Sequence, residues 1–161
     1  MPGQVRTMDR VVGMGEYHIS DKAGDVLRTF ALASCVAVTA YSPSQKAAGM
    51  LHVVLPAPLN SKDPLERPGY FAQTGVPLLI NAMCRRYGCQ REELRIQLFG
   101  GANSVNSKDI YRVGKKNIDA VTHSLLEMGL TAIREDLRGN ESRTLEMDVT
   151  TGEIRIFRQP L

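Results

Sequence analysis

The chain has 161 residues, 43% of them hydrophobic, which is enough for one well-cored unit and short for two. Its 20 basic and 17 acidic residues leave a net charge of +3 and are scattered without a long run of one sign, so nucleic-acid binding is not indicated. Three cysteines, an odd number, argue against a disulfide scaffold and for a reducing compartment in which a thiol stays free.

No stretch approaches the ~18 uninterrupted apolar residues of a membrane span. Residues Met1 to Arg10 lack the hydrophobic core of a signal peptide. The expectation is a cytoplasmic protein without direct membrane insertion, a single domain over residues 1–161 that begins in a flexible tail over about residues 1–10. A first strand is expected from Val11 to Tyr17 and a second from Asp25 to Leu32. A β-hairpin follows, from Cys35 to Leu55. The segment Ala57 to Gly69 carries three prolines and reads as a long loop, a lid over the hairpin.

Val76, Leu79, Ile80, Met83 and Tyr87 recur at helical spacing, with Thr74 as N-cap, Pro77 in the first turn and Gly88 as the stop. Leu94, Ile96 and Leu98 alternate with polar residues and predict a strand that runs into Gly100-Gly101. A second helix is predicted from about Gly114, with Ile118, Val121, Leu125 and Met128 on its apolar stripe. The basic cluster Arg112 to Lys116 then reads as a solvated helix start. Thr131 to Glu135 suggests another strand, and Arg143 to Phe157 a hairpin about Thr151-Gly152. Two main helices and roughly seven strands predict a layered α/β sandwich with a largely antiparallel, hairpin-rich sheet.

The chemistry concentrates in the first hairpin. Pro43 suits the second position of a type I turn, so a loop centred on Pro43 and Ser44 would set Cys35 directly opposite His52. Their Cβ atoms would then lie about 5 Å apart on one face. A thiol against an imidazole is a minimal kit for attack on a carbonyl carbon, and a thiolate so paired would alkylate near neutral pH. Cys84 and Cys89 lack the short spacing and the second ligand pair of a metal site, and His18 and His123 bear no visible relation to them. Gly100-Gly101 lacks the lysine or third glycine of a phosphate loop and reads as a sharp turn or a close backbone approach.

Several segments together resemble the CheD family of chemoreceptor glutamine deamidases. They are Gly13-Met-Gly15-Glu16-Tyr17, Thr29 to Leu32, Ser34-Cys35-Val36-Ala37-Val38, Gly49-Met50-Leu51-His52, Gly100-Gly101-Ala102, Gly114 with Asn117, Asp136 with Gly139 and Arg143, and a closing hairpin with Gly152. The resemblance implies a Cys-His-Thr hydrolase of side-chain amides, with the family's catalytic residues on Cys35, His52 and Thr29, and a core related to the deamidating domain of cytotoxic necrotizing factor. It implies no cofactor. The implied partners are the cytoplasmic region of methyl-accepting chemotaxis receptors and a CheC-type phosphatase. The alternative is a weakly active or inactive CheD-like adaptor that binds those partners without chemistry. Ala33, Leu51, Lys116 and Arg138 depart from residues frequent in the family. Ala33 is the departure expected to matter most, because a Cβ penalises a conformation that glycine adopts freely.

Overall fold

The computed structural model describes residues 8–103 and 111–161. The tail expected over residues 1–10 lies outside the described residues as far as residue 7. From Asp9 the chain is already a short strand, β1 (Asp9–Val11). There follow β2 (Tyr17–Ser20), β3 (Val26–Leu32), β4 (Val36–Ser42) and β5 (Ala47–Val53). After a short helix α1 (Asp63–Glu66) come α2 (Ala72–Tyr87), β6 (Arg95–Gly100), α3 (Val113–Glu127), β7 (Ala132–Leu137), β8 (Glu141–Asp148) and β9 (Ile154–Pro160).

The strands form two sheets, ordered β1-β3-β8-β9 and β2-β5-β4-β6-β7. The mixed α/β expectation holds, but the strand expected from Val11 to Tyr17 is split between the sheets by a turn at Gly13–Glu16. Two pairings, β1 with β3 and β6 with β7, are parallel.

The five-stranded sheet is covered on both faces. Val36, Val38, Leu51, Val53, Ile96 and Leu98 meet α2 and α3 on one side. Ala37, Tyr41, Ala48, Met50 and Phe99 meet Leu27, Leu32, Leu145 and Met147 of the four-stranded sheet on the other. Every residue of β4 and β5 is buried, which explains runs of small and β-branched residues without polar alternation. Among the described residues no helix is long and apolar enough to cross a membrane.

Helix α2 begins at Ala72, two residues before the predicted Thr74 cap. The N–H groups of Ala72 and Gln73 donate to the carbonyls of Leu55 and Pro56 (2.9 and 3.2 Å), so main chain does what a capping side chain would do. Thr74 instead bonds the Pro68 carbonyl, and Pro77 falls inside the helix. The Pro-rich segment before α2 is pinned at its end, where the N–H groups of Val54 and Leu55 both donate to the Tyr70 carbonyl.

Candidate active site

His52 on β5 and Thr29 on β3 face each other across the gap between the sheets. Thr29 Oγ1 donates to the carbonyl of Val12 (2.7 Å) and lies 2.8 Å from His52 Nδ1. A hydroxyl has one proton, here committed to Val12, so Oγ1 accepts from Nδ1–H. In the neutral ring this bond leaves the lone pair on Nε2, which is buried and has no hydrogen-bond partner among the described residues. His52 is 4% exposed. Burial disfavours the imidazolium and holds its pKa down to about 4. Its main chain is fixed by the Gly13–Glu16 turn, with Gly15 N–H donating to the His52 carbonyl (2.8 Å) and His52 N–H to that of Glu16 (3.1 Å).

Cys35 is not directly opposite His52. Ala37 pairs with His52 and Ser42 with Ala47, so the hairpin loop has four residues, Pro43 to Lys46. The reason lies in Pro43: its fixed φ excludes the left-handed first position of a two-residue hairpin turn, and a type I turn alone would splay the strands. Extra residues restore the twist, the last being Lys46 in the left-handed region (φ +48). The shift is two residues, so Cys35, one residue before β4, is not paired with His52 but still packs against the inter-sheet core.

The Cys35 thiol is half-buried. Burial pushes its pKa up, against a smaller lowering by its own backbone N–H, which is within reach of the sulfur. Both groups are thus driven to their neutral forms. The resting pair is then thiol and imidazole.

The loop that presents Cys35 is fixed through three successive carbonyls. Ala102 N–H donates to Ala33 (2.7 Å) and Gly101 N–H to Cys35 (2.8 Å), while Asn117 Nδ2 donates to Ser34 (3.0 Å). Gly100-Gly101 is therefore a close backbone approach to the nucleophile's own loop. Gly100 has φ +104, and a Cβ there would overlap the Cys35 carbonyl oxygen. Gly114 lets the start of α3 settle on the carbonyls of Gly101 and Ala102. Asn117 carried no role in the sequence reading, although a polar residue three positions after Gly114, in line with the apolar stripe, was the available signal.

Ala33 does not bear the expected strain, since its backbone is outside the left-handed region. Arg138 does, at φ +67, and its guanidinium bonds the Gly101 carbonyl (3.1 Å) and Asn103.

The remaining candidates lie elsewhere. Cys84 and Cys89 belong to the core beneath the helices. His123 pairs with Glu127 on the exposed side of α3 (2.8 Å). No cluster of three or more metal-ligating side chains occurs among the described residues. A cleft of about 620 Å³ between Met14–His18 and Glu66–Tyr70 borders the backbone of His52 but contains none of the Cys35, His52 and Thr29 side chains.

Residues 54–158 match the family model described as CheD chemotactic sensory transduction. The chain belongs to the CheD family. The CheD match begins two residues after His52, so Cys35, His52 and Thr29 lie before it. One from Syntrophotalea carbinolica, named probable chemoreceptor glutamine deamidase CheD, is 42% identical over 151 residues, 92% of this chain and 93% of its own length. Another from Thermotoga maritima, named chemoreceptor glutamine deamidase CheD, is 34% identical over 92% of this chain and 91% of its own. The unmatched remainder is too short to reach Thr29 from either end. Among solved structures, YlmD from Geobacillus stearothermophilus aligns with a TM-score of 0.53 at 14% identity, covering 76% of this chain and 50% of that one, a likeness of fold alone.

Proposed function

We propose that the protein hydrolyses glutamine side-chain amides of chemoreceptors to glutamate and ammonia, through a thioester on Cys35. One observation carries this reading: the bond to Thr29 Oγ1 that commits His52 Nδ1 as donor and leaves Nε2 as a buried, unoccupied base. The names of the CheD relatives support the substrate.

As the carboxamide arrives, the Cys35 thiol proton passes to His52 Nε2 while Sγ bonds the amide carbon and the carbonyl electron pair moves to oxygen. Backbone N–H groups beside Cys35 stabilise that oxyanion. On collapse the C–N bond breaks, and His52 Nε2 returns its proton to the departing ammonia. Water then attacks the thioester, giving a proton to Nε2. Expulsion of sulfur regenerates the thiol and leaves glutamate. Neutral ground states suit this sequence, because charge on His52 develops only as the oxyanion forms. Thr29 acts by orienting the ring.

The test is to incubate a receptor cytoplasmic fragment with wild-type and Cys35→Ala protein and to follow amide-to-acid conversion by mass spectrometry. Conversion by wild-type alone is expected, and equal conversion by both removes Cys35 from the mechanism.

A further inference from the structure

Asn117 is wholly buried, and its Nδ2 donates twice, to Ser34 O (3.0 Å) and to Val54 O (2.9 Å). The reverse amide orientation would set its oxygen against two carbonyl oxygens, so the assignment is fixed by its partners. Those partners lie just where the β4–β5 ladder stops: the last pair is Val36 with Val53, and beyond it the strands leave carbonyls without a ladder partner. One carboxamide therefore bridges the residue before the nucleophile and the second residue after the histidine.

The bond to Ser34 O has a consequence on the other side of the same peptide. A trans peptide is planar, with its C=O and N–H directed oppositely, so holding the Ser34 carbonyl sets the direction of the Cys35 N–H. That N–H belongs to the nucleophile's own residue and so sits beside Sγ, where an acyl carbon bound to sulfur would develop its oxyanion. The flanking carbonyls of Ala33 and Cys35 are held by main-chain N–H groups. The peptide that carries the Cys35 N–H is held by a side chain.

Resting on the acyl-transfer reading above, we propose that Asn117 is a positioning residue for the oxyanion donor: through the Ser34–Cys35 peptide it aims the Cys35 N–H at the oxygen of the tetrahedral intermediate. A general structural tie would slow every reaction of Cys35 alike. A positioning role slows only those that pass through an oxyanion.

Two reagents separate these cases without a receptor. With p-nitrophenyl acetate, Sγ bonds the acetyl carbon, the thiol proton passes to His52 Nε2, and an oxyanion forms that collapses to S-acetyl-cysteine and p-nitrophenolate. With iodoacetamide, Sγ displaces iodide at a saturated carbon, the thiol proton passing to His52 Nε2, and no oxyanion appears. Asn117→Leu, which keeps the branched heavy-atom skeleton, should lower Cys35 acetylation by about 100-fold while leaving alkylation within about 3-fold of wild type. Asn117→Ala should give the same split. Equal losses in both reactions, or no loss in acetylation, overturn the proposal.

Wild-type protein offers a second measurement that does not depend on a variant folding. When an aldehyde forms a hemithioacetal on Cys35, the Cys35 amide proton should move downfield by NMR, and an unmoved resonance overturns the assignment. Receptor deamidation is assayed in parallel. If the Asn117 variants show the acetylation split yet the wild-type chain converts no receptor glutamine, the deamidase reading falls and Asn117 keeps its place.

Discussion

His52 keeps a lone pair at Nε2 because two independent features agree: Thr29 Oγ1 accepts the bond from Nδ1–H, and burial resists a proton on Nε2. The second feature has a cost that pH exposes. In the unfolded chain an imidazole titrates near its model value of 6.5, whereas in the fold it holds out to about 4. Between those values the unfolded state binds more protons, so stability is fully present above pH 6.5 and is lost as pH falls toward 4. The gap corresponds to up to about 3 kcal/mol. Asp25 and Asp136 have lowered pKa values, so their contributions disappear only below the model value of 3.8, outside this window. Urea midpoints measured from pH 7 to pH 4 should therefore decline in wild type and run nearly flat in His52→Gln. A parallel decline in both would place the titrating group elsewhere. Cys35 and His52 were legible as a pair because they share one hairpin. Thr29 is 23 residues from His52 in sequence and on another sheet, so no local pattern joins them, and only the family resemblance pointed to it.

The elements show where local sequence decides structure and where contact does. Helices α2 and α3 follow their apolar spacing, and the C-terminal hairpin follows its alternation and its turn at Gly152. The register of the first hairpin differs by two residues from the one its sequence suggests, because the φ of Pro43 forbids a short turn centred there. Pairing face survived, since a shift of two preserves the alternation. Gly100 is the opposite case, a residue whose need is imposed from outside its strand. Its φ of +104 and its contact with the Cys35 carbonyl both exclude a side chain. Gly88, which ends α2 at φ +69, has open space around its absent Cβ. Gly88→Ala should thus cost only the left-handed penalty of about 1–2 kcal/mol. Gly100→Ala should cost about 3 kcal/mol or more and slow Cys35 acetylation, because it displaces the nucleophile's loop. Equal urea-midpoint losses for the two, with acetylation untouched, would show that Gly100 serves its own turn alone.

At the scale of the molecule, the site sits between two sheets, so its geometry depends on what keeps them in place. The sequence suggested one hairpin-rich sheet, since alternation reports that a face is buried but not which partner buries it. One clasp lies at the closing hairpin, where Tyr41 OH of β4 donates to the Thr150 carbonyl (2.9 Å) and Gly152 packs on the Tyr41 ring. Another joins β7 to β8 and β9. Arg143, 4% exposed, donates to Asp136 Oδ1 and to the Arg138 carbonyl (both 2.8 Å), and Arg158 bonds both oxygens of Asp136. Arg138 N–H in turn donates to the Gly100 carbonyl (2.9 Å), the residue beneath the Cys35 loop. Removing one partner of a buried pair strands the other charge, whereas removing both does not. Asp136→Leu, which strands the buried Arg143, should therefore destabilise by about 3 kcal/mol or more; Arg143→Met, which leaves Asp136 with Arg158, should cost less, and the double variant should fall clearly short of the sum. A coupling on the order of 1–3 kcal/mol in a urea double-mutant cycle identifies a true inter-sheet clasp. Strict additivity would mean that Arg143 is held by carbonyls and packing, with Asp136 serving only Arg158.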